Sequence, residues 1–363
     1  MARGPSALSG VEAVVLVGGR GTRLRPLTLS APKPMLPTAG VPFLTHLLCR
    51  IRDAGVRRVV LSTSYRADVF AAHFGNGAML GLELEYVVET EPLGTGGGIR
   101  NVAGTLREPD VLVFNGDVLS GLDPSDVVRA HRESGADVTL HLVRVPDPRA
   151  FGCVPTDEDG RVQAFLEKTD DPPTDQINAG CYVFRREVID VIPTGRPVSV
   201  ERETFPGLLA AGARVQGYVE NSYWLDLGTP AAFVQGSADL VRGIVPSSAL
   251  PTPPGEALVL DGARVAPSAD VAGGSTISAD AVVGARAQVL GSVLLDGAVV
   301  ADGAVVQRSV LGTGARVGAG AVLHDVVIGD GTVIGARCEL RDGLRVWPGV
   351  VLPDGAVRFS SDE

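Results

Sequence analysis

A glycine-rich segment with several cations follows the first apolar run of the sequence. Residues 18–28 read GGRGTRLRPLT, and Lys33 lies ten residues after Arg23. Glycines let backbone amides approach a phosphate closely, and the arginines and the lysine supply positive charge. The segment is not a P-loop, because no GK[ST] follows, and it lacks the third glycine of a dinucleotide fingerprint. The segment therefore predicts a phosphate site that is formed by glycine backbone amides and nearby cations but is neither a P-loop nor a dinucleotide fingerprint.

Lysine is scarce in this chain. Of 32 basic residues, only Lys33 and Lys168 are lysines, and the others are arginines. Because the chain uses arginine almost everywhere else, the two lysines indicate positions where a compact ammonium is needed and a planar guanidinium is not. Retention of two lysines by chance is the alternative.

Alternating strand and helix patterns must position these residues. Apolar runs typical of buried strands lie at 11–17, 57–65, 82–89, 111–117 and 137–145, and helical patterns lie at 43–55 and 124–135. This alternation predicts an α/β domain with a mainly parallel sheet and ligands at the carboxyl ends of its strands. Residues 150–235 are richer in strand patterns, with a hairpin at 151–168 and a strand at 177–184. A helical pattern at 231–243 closes this part.

The C-terminal part has a sixfold repeat. After a segment with four prolines in fourteen residues (244–257), small aliphatic residues recur every six positions, with one shortened interval in each set of three. Ile277, Leu294, Leu311 and Ile328 are therefore 17 residues apart. Hexapeptides with glycine and alanine at tight positions are typical of a β-helix. An ordinary β-sandwich would instead show a period of two.

The first 243 residues resemble the sugar-1-phosphate nucleotidyltransferases, also called nucleoside-diphosphate-sugar pyrophosphorylases. The motifs that carry the resemblance are GGRGTRLRPLTLSAPKPM (18–35), Glu89, PLGTGGG (92–98), FNGD (114–117), FG (151–152), FLEK (165–168), INAG (177–180) and WLDLG (224–228). The resemblance implies a Rossmann-like domain (1–243), a proline-rich linker (244–258) and a C-terminal left-handed parallel β-helix of hexapeptide repeats with a short C-terminal tail (259–363).

The resemblance also implies the reaction. PLGTGGG, FNGD and a tail of this length are most similar to the members that join GTP to mannose 1-phosphate, giving GDP-mannose and pyrophosphate. Such transfers need positioning and charge neutralisation more than covalent chemistry. Two carboxylates with phosphate oxygens and water are a usual way to hold Mg²⁺. By the resemblance, Asp117 and Asp226 would be the metal ligands.

The remaining site residues follow from the same resemblance. Arg23, Lys33 and Asp117 would act in catalysis together with Lys168, which would contact the sugar phosphate and the α-phosphate. Glu167 and Asn178 would bind sugar hydroxyls, and Gly152 would let the backbone approach the sugar. The nucleotide would contact Leu16, Gly18, Gly19, Gly21, Thr22, Glu89, Gly94, Thr95 and Asn115.

Other interpretations remain open for these residues. Asp117 and Asp226 could be turn residues, and Glu167 with Lys168 could be a solvated surface pair. The enzyme could instead make dTDP-glucose, ADP-glucose or a GDP-cyclitol. A different alternative is that the chain is a non-catalytic regulatory subunit. The histidines form no metal-binding pattern and are expected on helix surfaces or in strands. His324 would matter only if the β-helix were an acyltransferase.

Composition narrows the function classes. The net charge of −10 without a basic run argues against nucleic-acid binding. No apolar run reaches the ~18–20 residues of a membrane helix, and the residues before Val11 contain no apolar stretch typical of a signal peptide. The four cysteines make no CxxC, which indicates a reduced, cytoplasmic protein. The β-helix is expected to be structural, and its open β edge predicts a homo-oligomer.

Overall fold

A computed structural model describes residues 8–64, 66–166, 168–250 and 255–360. Its internal contacts divide the chain into two units. The first, the sheet unit, comprises the residues up to Gly19 and Leu47–Trp224. The second, the β-helix unit, comprises Arg20–His46 and the residues from Leu225 onward. The predicted boundaries at 243 and 258 follow chain order, whereas the contacts group residues 20–46 with the C-terminal part.

The elements before the proline-rich segment alternate between strands and helices. In chain order they are β1 (Val11–Leu16), β2 (Pro37–Thr38), β3 (Val41–Pro42), α1 (Phe43–Asp53), β4 (Arg58–Thr63), α2 (Ala67–Phe74), β5 (Glu83–Val88), α3 (Gly94–Asn101), β6 (Asp110–Asn115), β7 (Val118–Ser120), α4 (Pro124–Ser134), β8 (Val138–Arg144), β9 (Gln176–Arg185), α5 (Arg186–Ile189), α6 (Phe205–Ala210), β10 (Val215–Glu220), β11 (Trp224–Asp226) and α7 (Pro230–Val241). Short 3₁₀ turns lie at Thr22–Leu24, Leu27–Leu29, Lys33–Met35, Ala78–Leu80, Ala103–Thr105 and Pro148–Ala150, and a π-helical turn lies at Val200–Thr204.

The sheet unit contains the predicted mainly parallel sheet. Among its described residues, seven strands pair in the order β10-β8-β9-β6-β1-β4-β5. β1 is parallel to β4 and β6, whereas β9 is antiparallel to both β6 and β8. The predicted hairpin at 151–168 is present as two antiparallel bridges, Cys153 with Leu166 and Thr156 with Val162. The α/β fold class is confirmed.

Apolar residues from the strands form the core of this sheet. Val14, Val113 and Leu140 are fully buried and pack with Phe184 and Phe205. Strands buried in this way read as continuous apolar runs, which is why the sequence pattern located them. Each fully buried aliphatic or phenyl side chain contributes about 1.5–3 kcal/mol to the stability of the fold.

The C-terminal part is the predicted left-handed parallel β-helix. Its strands are β12 (Ala257–Val259), β13 (Arg264–Val265), β14 (Asp270–Ala272), β15 (Ser275–Ile277), β16 (Val282–Val283), β17 (Gln288–Leu290), β18 (Val293–Leu294), β19 (Val299–Val300), β20 (Val305–Gln307), β21 (Val310–Leu311), β22 (Arg316–Val317), β23 (Val322–His324), β24 (Val327–Ile328), β25 (Val333–Ile334), β26 (Glu339–Arg341), β27 (Arg345–Val346), β28 (Val351–Leu352) and β29 (Val357–Phe359). In this described range they form three parallel sheets, in which every third strand is a neighbour.

The repeat register is also confirmed. Ile277 pairs with Leu294, Leu294 with Leu311, and Leu311 with Ile328. All four side chains are fully buried in the axial core. Aliphatic residues therefore stack along the axis once per coil, as the spacing of 17 predicts.

The expected location of the histidines is wrong for two of them. His46 in α1 and His131 in α4 are buried. The ring nitrogens of His46 lie 2.7 Å from Ser247 Oγ and 2.9 Å from the Thr38 carbonyl oxygen. His131 Nδ1 lies 2.9 Å from Thr139 Oγ1. Polar partners inside the fold satisfy these rings, and a single sequence does not show such partners. His324 lies in β23, whose pairing with β20 is regular.

Candidate active site

The loops that follow β1 and β6 leave the sheet at the same edge. Leu16 pairs with Asn115, and the backbone N–H of Gly116 donates to the Leu16 carbonyl at 2.9 Å. A Cβ atom on Gly116 would lie 2.6 Å from that oxygen, so this position requires glycine. Gly18 and Asp117 therefore follow the carboxyl ends of adjacent parallel strands, which is where open α/β sheets bind ligands.

Glu89 fastens the turn before α3. Its carboxylate accepts hydrogen bonds from Ser62 Oγ at 3.0 Å and from the backbone N–H of Leu93 at 3.1 Å. A Cβ atom on Gly98 would lie 2.8 Å from Glu89 Oε1. This carboxylate therefore holds β4, the turn and the first residues of α3 together.

The glycines of PLGTGGG begin a helix, α3, that contacts a neighbouring segment through its backbone. Gly96 N–H donates to the Val198 carbonyl at 2.8 Å, and Val198 N–H donates to the Leu93 carbonyl at 2.8 Å. Gly94 has a positive φ of 71°, and a Cβ atom there would lie 2.6 Å from the Val198 oxygen. Only glycine permits this approach, which fixes Gly94 and Thr95 at the start of α3.

Asn178 and Thr95 contact one carboxylate that the sequence analysis missed, that of Glu201. Asn178 Nδ2 donates to Glu201 Oε1 at 3.3 Å, and Thr95 Oγ1 donates to Glu201 Oε2 at 3.5 Å. Tyr182 Oη also donates to Glu201 Oε1, at 3.4 Å. Burial, assisted by the charge of Glu201, raises the pKa of Tyr182 well above its ordinary value. The polar residues Glu201–Glu203 between buried Val200 and Thr204 were the sequence signal for this residue.

Gly152 and Lys168 lie at the two ends of the short hairpin. Cys153 and Leu166 exchange backbone hydrogen bonds at 3.1 and 3.0 Å, so the residues that flank this bridge leave the hairpin side by side. Gly152 has a φ of 74°, and Lys168 is exposed. Glu167 lies outside the described residues. The edge-to-face contact of Phe151 with Trp224, at 5.3 Å between ring centroids, supports this end of the hairpin.

From Arg20 onward, the glycine-rich signature segment belongs to the β-helix unit. Gly21 has a φ of 58°, and its carbonyl accepts a hydrogen bond from Thr28 Oγ1 at 2.9 Å. Thr22 and Arg23, which follow it, lie in a 3₁₀ turn. Leu24 and Leu27 of this segment are buried in one apolar cluster with residues of α7 and of the β-helix; its buried members are Leu24, Leu27, Leu36, Phe233, Val234, Val293, Leu295, Val310 and Val327.

Through this cluster the β-helix packs against the segment that carries Arg23 and Lys33. The expectation that the β-helix is structural stays a prediction. The contact adds that the β-helix supports residues of the candidate site.

Three charged residues meet within the β-helix unit. Lys33 Nζ lies 3.3 Å from Asp226 Oδ1, and Arg23 Nη2 lies 3.7 Å from Asp226 Oδ2. The Lys33 side chain is 10% exposed, whereas that of Arg23 is 66% exposed. A Cβ atom on Gly228 would lie 2.5 Å from Arg23 Nη2, so the glycine of WLDLG leaves room for the guanidinium. Arg23, Lys33 and Asp226 thus form one charged group.

Comparisons with known proteins agree with these motifs. The sequence model of the family described as "Nucleotidyl transferase" matches residues 12–243, and that of the "GMPPB C-terminal domain" matches residues 254–363. The chain is 65% identical over 353 residues to a mannose-1-phosphate guanylyltransferase from Mycobacterium tuberculosis, covering 97% of this chain and 98% of that relative.

Other relatives match a smaller share of the chain. The chain is 39% identical to a mannose-1-phosphate guanylyltransferase catalytic subunit beta from Drosophila pseudoobscura pseudoobscura, over 63% of this chain and 62% of that protein. A crystal structure of HddC from Yersinia pseudotuberculosis is 30% identical and superposes with a TM-score of 0.56, covering 62% of this chain and 97% of HddC. A second HddC structure, with a TM-score of 0.55, contains GMP-PN.

Proposed function

The chain belongs to the nucleotidyl transferase family, and we propose that it makes GDP-mannose from GTP and mannose 1-phosphate. A phosphate oxygen of the sugar phosphate attacks the α-phosphorus of GTP. The bond from the α-phosphorus to the oxygen that bridges it to the β-phosphorus breaks, and its electron pair leaves with pyrophosphate. The sugar phosphate is already anionic near neutral pH, so no side-chain base is needed.

One observation carries this proposal. The relative from Mycobacterium tuberculosis that is named a mannose-1-phosphate guanylyltransferase is 65% identical and matches 97% of this chain. The match includes both the sheet unit and the β-helix unit. The complex of HddC with GMP-PN supports a guanosine nucleotide as the donor.

The cations of the site would neutralise the charge that develops during transfer. Arg23 and Lys33 would bind the triphosphate and the leaving pyrophosphate, and Lys168 would contact the sugar phosphate and the α-phosphate. Glycine-lined backbone at Gly18 and Gly94 would approach the nucleotide. Fixed cations lower the barrier most when they face the position where charge builds up.

Magnesium fits the residues present, and Asp117 and Asp226 would hold it. The proposal for these two residues comes from the motifs FNGD and WLDLG. Mg²⁺ prefers carboxylate oxygens and usually takes only one or two of them, together with phosphate oxygens and water. When bound, the ion would supply further positive charge beside the α-phosphate.

The decisive experiment is a substrate panel with pyrophosphate detection. GTP, UTP, dTTP and ATP are each combined with mannose 1-phosphate, glucose 1-phosphate and a cyclitol 1-phosphate, with and without Mg²⁺. We expect the highest kcat/KM for GTP with mannose 1-phosphate. Preference for another pair would refute the substrate assignment and leave the family intact, whereas the absence of all turnover would support a regulatory subunit.

We also propose that the protein self-associates through the β-helix and is cytoplasmic. The last strands, β27, β28 and β29, lie at the edges of their sheets. Trp347, Val351 and Phe359 are exposed there. Exposed edge strands with apolar side chains favour association. Light scattering of the wild type and of a Trp347→Glu, Phe359→Glu variant tests this, and we expect a smaller mass for the variant.

The cysteines support the proposed location. All four are buried free thiols in the described part of the chain, as in a reducing compartment. No helix in the described ranges is long and apolar enough to span a bilayer.

A further inference from the structure

Glu201 is a partly buried carboxylate contacted by hydroxyl and amide groups from separate parts of the sheet unit. Asn178 Nδ2 and Tyr182 Oη donate to Oε1 at 3.3 and 3.4 Å. Ser199 Oγ and Thr95 Oγ1 donate to Oε2 at 3.1 and 3.5 Å. The two oxygens of the carboxylate therefore have different partners: Oε1 contacts Asn178, and Oε2 contacts Thr95.

The backbone holds Glu201 in this position. Ser199 Oγ accepts a hydrogen bond from Arg202 N–H at 3.2 Å and so caps the π-helical turn Val200–Thr204. Val200 N–H donates to Thr95 Oγ1 at 2.9 Å. Short π-helical segments are rare and are frequent at functional sites. The turn thus attaches Glu201 to the first residues of α3.

The contacts determine how Asn178 can use its amide. Gly180 N–H donates to Asn178 Oδ1 at 3.0 Å, and Asn178 Nδ2 donates to Tyr182 Oη at 2.8 Å as well as to Glu201. Both hydrogens of the amide nitrogen are therefore used inside the protein. Only Oδ1 has a lone pair left, so Asn178 in this orientation can accept, but not donate, a hydrogen bond to a sugar hydroxyl.

We propose that Glu201 is a positioning residue that orients Asn178 for the sugar and Thr95 for the nucleotide, and so couples the two substrate subsites. The inference rests on the proposed function for the roles of Asn178 and Thr95. It goes beyond that function, because it assigns the orientation of both residues to one carboxylate. A merely structural glutamate would change stability and leave the substrate KM values unaltered.

Two substitutions of Glu201 distinguish its two sides. Glu201→Ala removes both acceptors, so we expect the KM values for both substrates to rise about tenfold, the size of one lost hydrogen bond. In Glu201→Gln only one oxygen remains. Asn178 Nδ2 can only donate, whereas the Ser199 hydroxyl can rotate and accept from the new amide. The glutamine oxygen should therefore face Asn178, so the KM for the sugar phosphate should stay within about twofold while that for the nucleotide rises several-fold.

The control is Glu203→Gln. Glu203 lies in the same turn but pairs with Arg196 at 2.7 Å, and its side chain is 43% exposed. We expect wild-type KM values for this variant. Because Glu201→Ala could fail to fold, the volume-conserving Glu201→Gln variant carries the test in that case.

Crystal structures of the variants and calorimetric titrations with GTP and with mannose 1-phosphate complete the experiment, since neither depends on turnover. Rotated Asn178 and Thr95 side chains in Glu201→Ala, with weaker binding of both compounds, would support the proposal. Unchanged side chains, unchanged KM values in a folded variant, or a glutamine variant that loses sugar affinity alone would overturn it. The substrate panel on the wild type reports separately on the proposed function, and if another substrate pair is preferred, the same KM measurements use that pair.

Discussion

Lys33 Nζ lies 3.3 Å from Asp226 Oδ1, although 193 residues separate them in the sequence. The side chain of Arg23 approaches the other oxygen of the same carboxylate. A triphosphate offers both cations stronger anionic partners than one carboxylate does. We expect substrate binding to transfer the cations to phosphate oxygens and to release Asp226 for Mg²⁺. The pair thus holds Lys33 in place before the substrate arrives.

The Lys33→Arg variant should bind the triphosphate more weakly. Lys33 is 10% exposed and its Cβ would lie 3.0 Å from a Cβ atom on Gly21, so a larger planar guanidinium must tilt away from Asp226. Steady-state kinetics should show a KM for GTP raised about tenfold, because roughly one charged hydrogen bond is lost. The control is Arg129→Lys. Arg129 forms an exposed ion pair with Asp126, so this variant should keep the wild-type KM for GTP. An unchanged KM in Lys33→Arg would show that the site accepts either cation.

The Lys168→Arg variant should affect turnover more than binding. Lys168 is exposed and follows the hairpin bridge, so arginine there should leave the fold intact. If its ammonium faces the charge that builds on the α-phosphate, a displacement near 1 Å can cost about 100-fold in rate. We therefore expect kcat to fall by about two orders of magnitude. Near wild-type turnover, measured by pyrophosphate release, would mean that this lysine was retained by chance.

His131 should make the fold sensitive to acid. Burial lowers its pKa from 6.5 to about 4, with the charge of Asp110 opposing the shift. The unfolded chain therefore binds more protons between these values, so stability is greatest above pH 6.5 and falls as the pH drops toward 4. At ~1.4 kcal/mol per pKa unit, this group accounts for roughly 3 kcal/mol.

His131→Gln should flatten the stability curve over that range, as measured by urea unfolding at a series of pH values. The exposed His73 of α2 provides the matched control, His73→Gln. Equal acid sensitivity in the wild type and in His131→Gln would assign the loss to other groups.

The sequence predicted the elements whose signals are local. The run at 11–17 became β1, Val11–Leu16, because a strand buried on both faces needs a continuous apolar stretch. The β-helix register, with Ile277 on Leu294, follows from a periodicity that each coil repeats. The sequence also predicted that Arg23 and Lys33 lie near each other, whereas their shared contact with Asp226 was not predicted.

The features that the sequence did not predict depend on contacts between distant residues. The glycines of PLGTGGG argue against a helix by sequence alone, since each glycine disfavours a helix by about 1 kcal/mol. The structure makes this segment the start of α3, because the carbonyl of Val198 accepts a hydrogen bond from Gly96 N–H and leaves no room for a side chain at Gly94. Glu201 was missed for the same reason: its partners Thr95 and Asn178 come from segments far away in the chain.

Leu295 should link the β-helix to substrate binding. It is buried in the apolar cluster with Leu24 and Leu27 of the segment that carries Arg23, whereas Leu323 is buried in the axial core of the same β-helix. Leu295→Ala and Leu323→Ala each remove similar apolar volume and should each cost about 2–5 kcal/mol of stability. Scanning calorimetry should therefore show lowered Tm values for both variants.

The two variants should differ in kinetics. The cavity left by Leu295→Ala lies in the apolar cluster that contains Leu24 and Leu27. These two leucines lose a packing partner, so Arg23 and Lys33 should become less well fixed. We expect the KM for GTP to rise about fivefold in Leu295→Ala, at a temperature where both variants are folded, because a misplacement well below 1 Å already weakens charge contacts. Leu323→Ala should keep the wild-type KM, since its cavity lies within the axial core. Equal KM values in the two variants would mean that the β-helix only stabilises the fold, as its repeat pattern alone suggested.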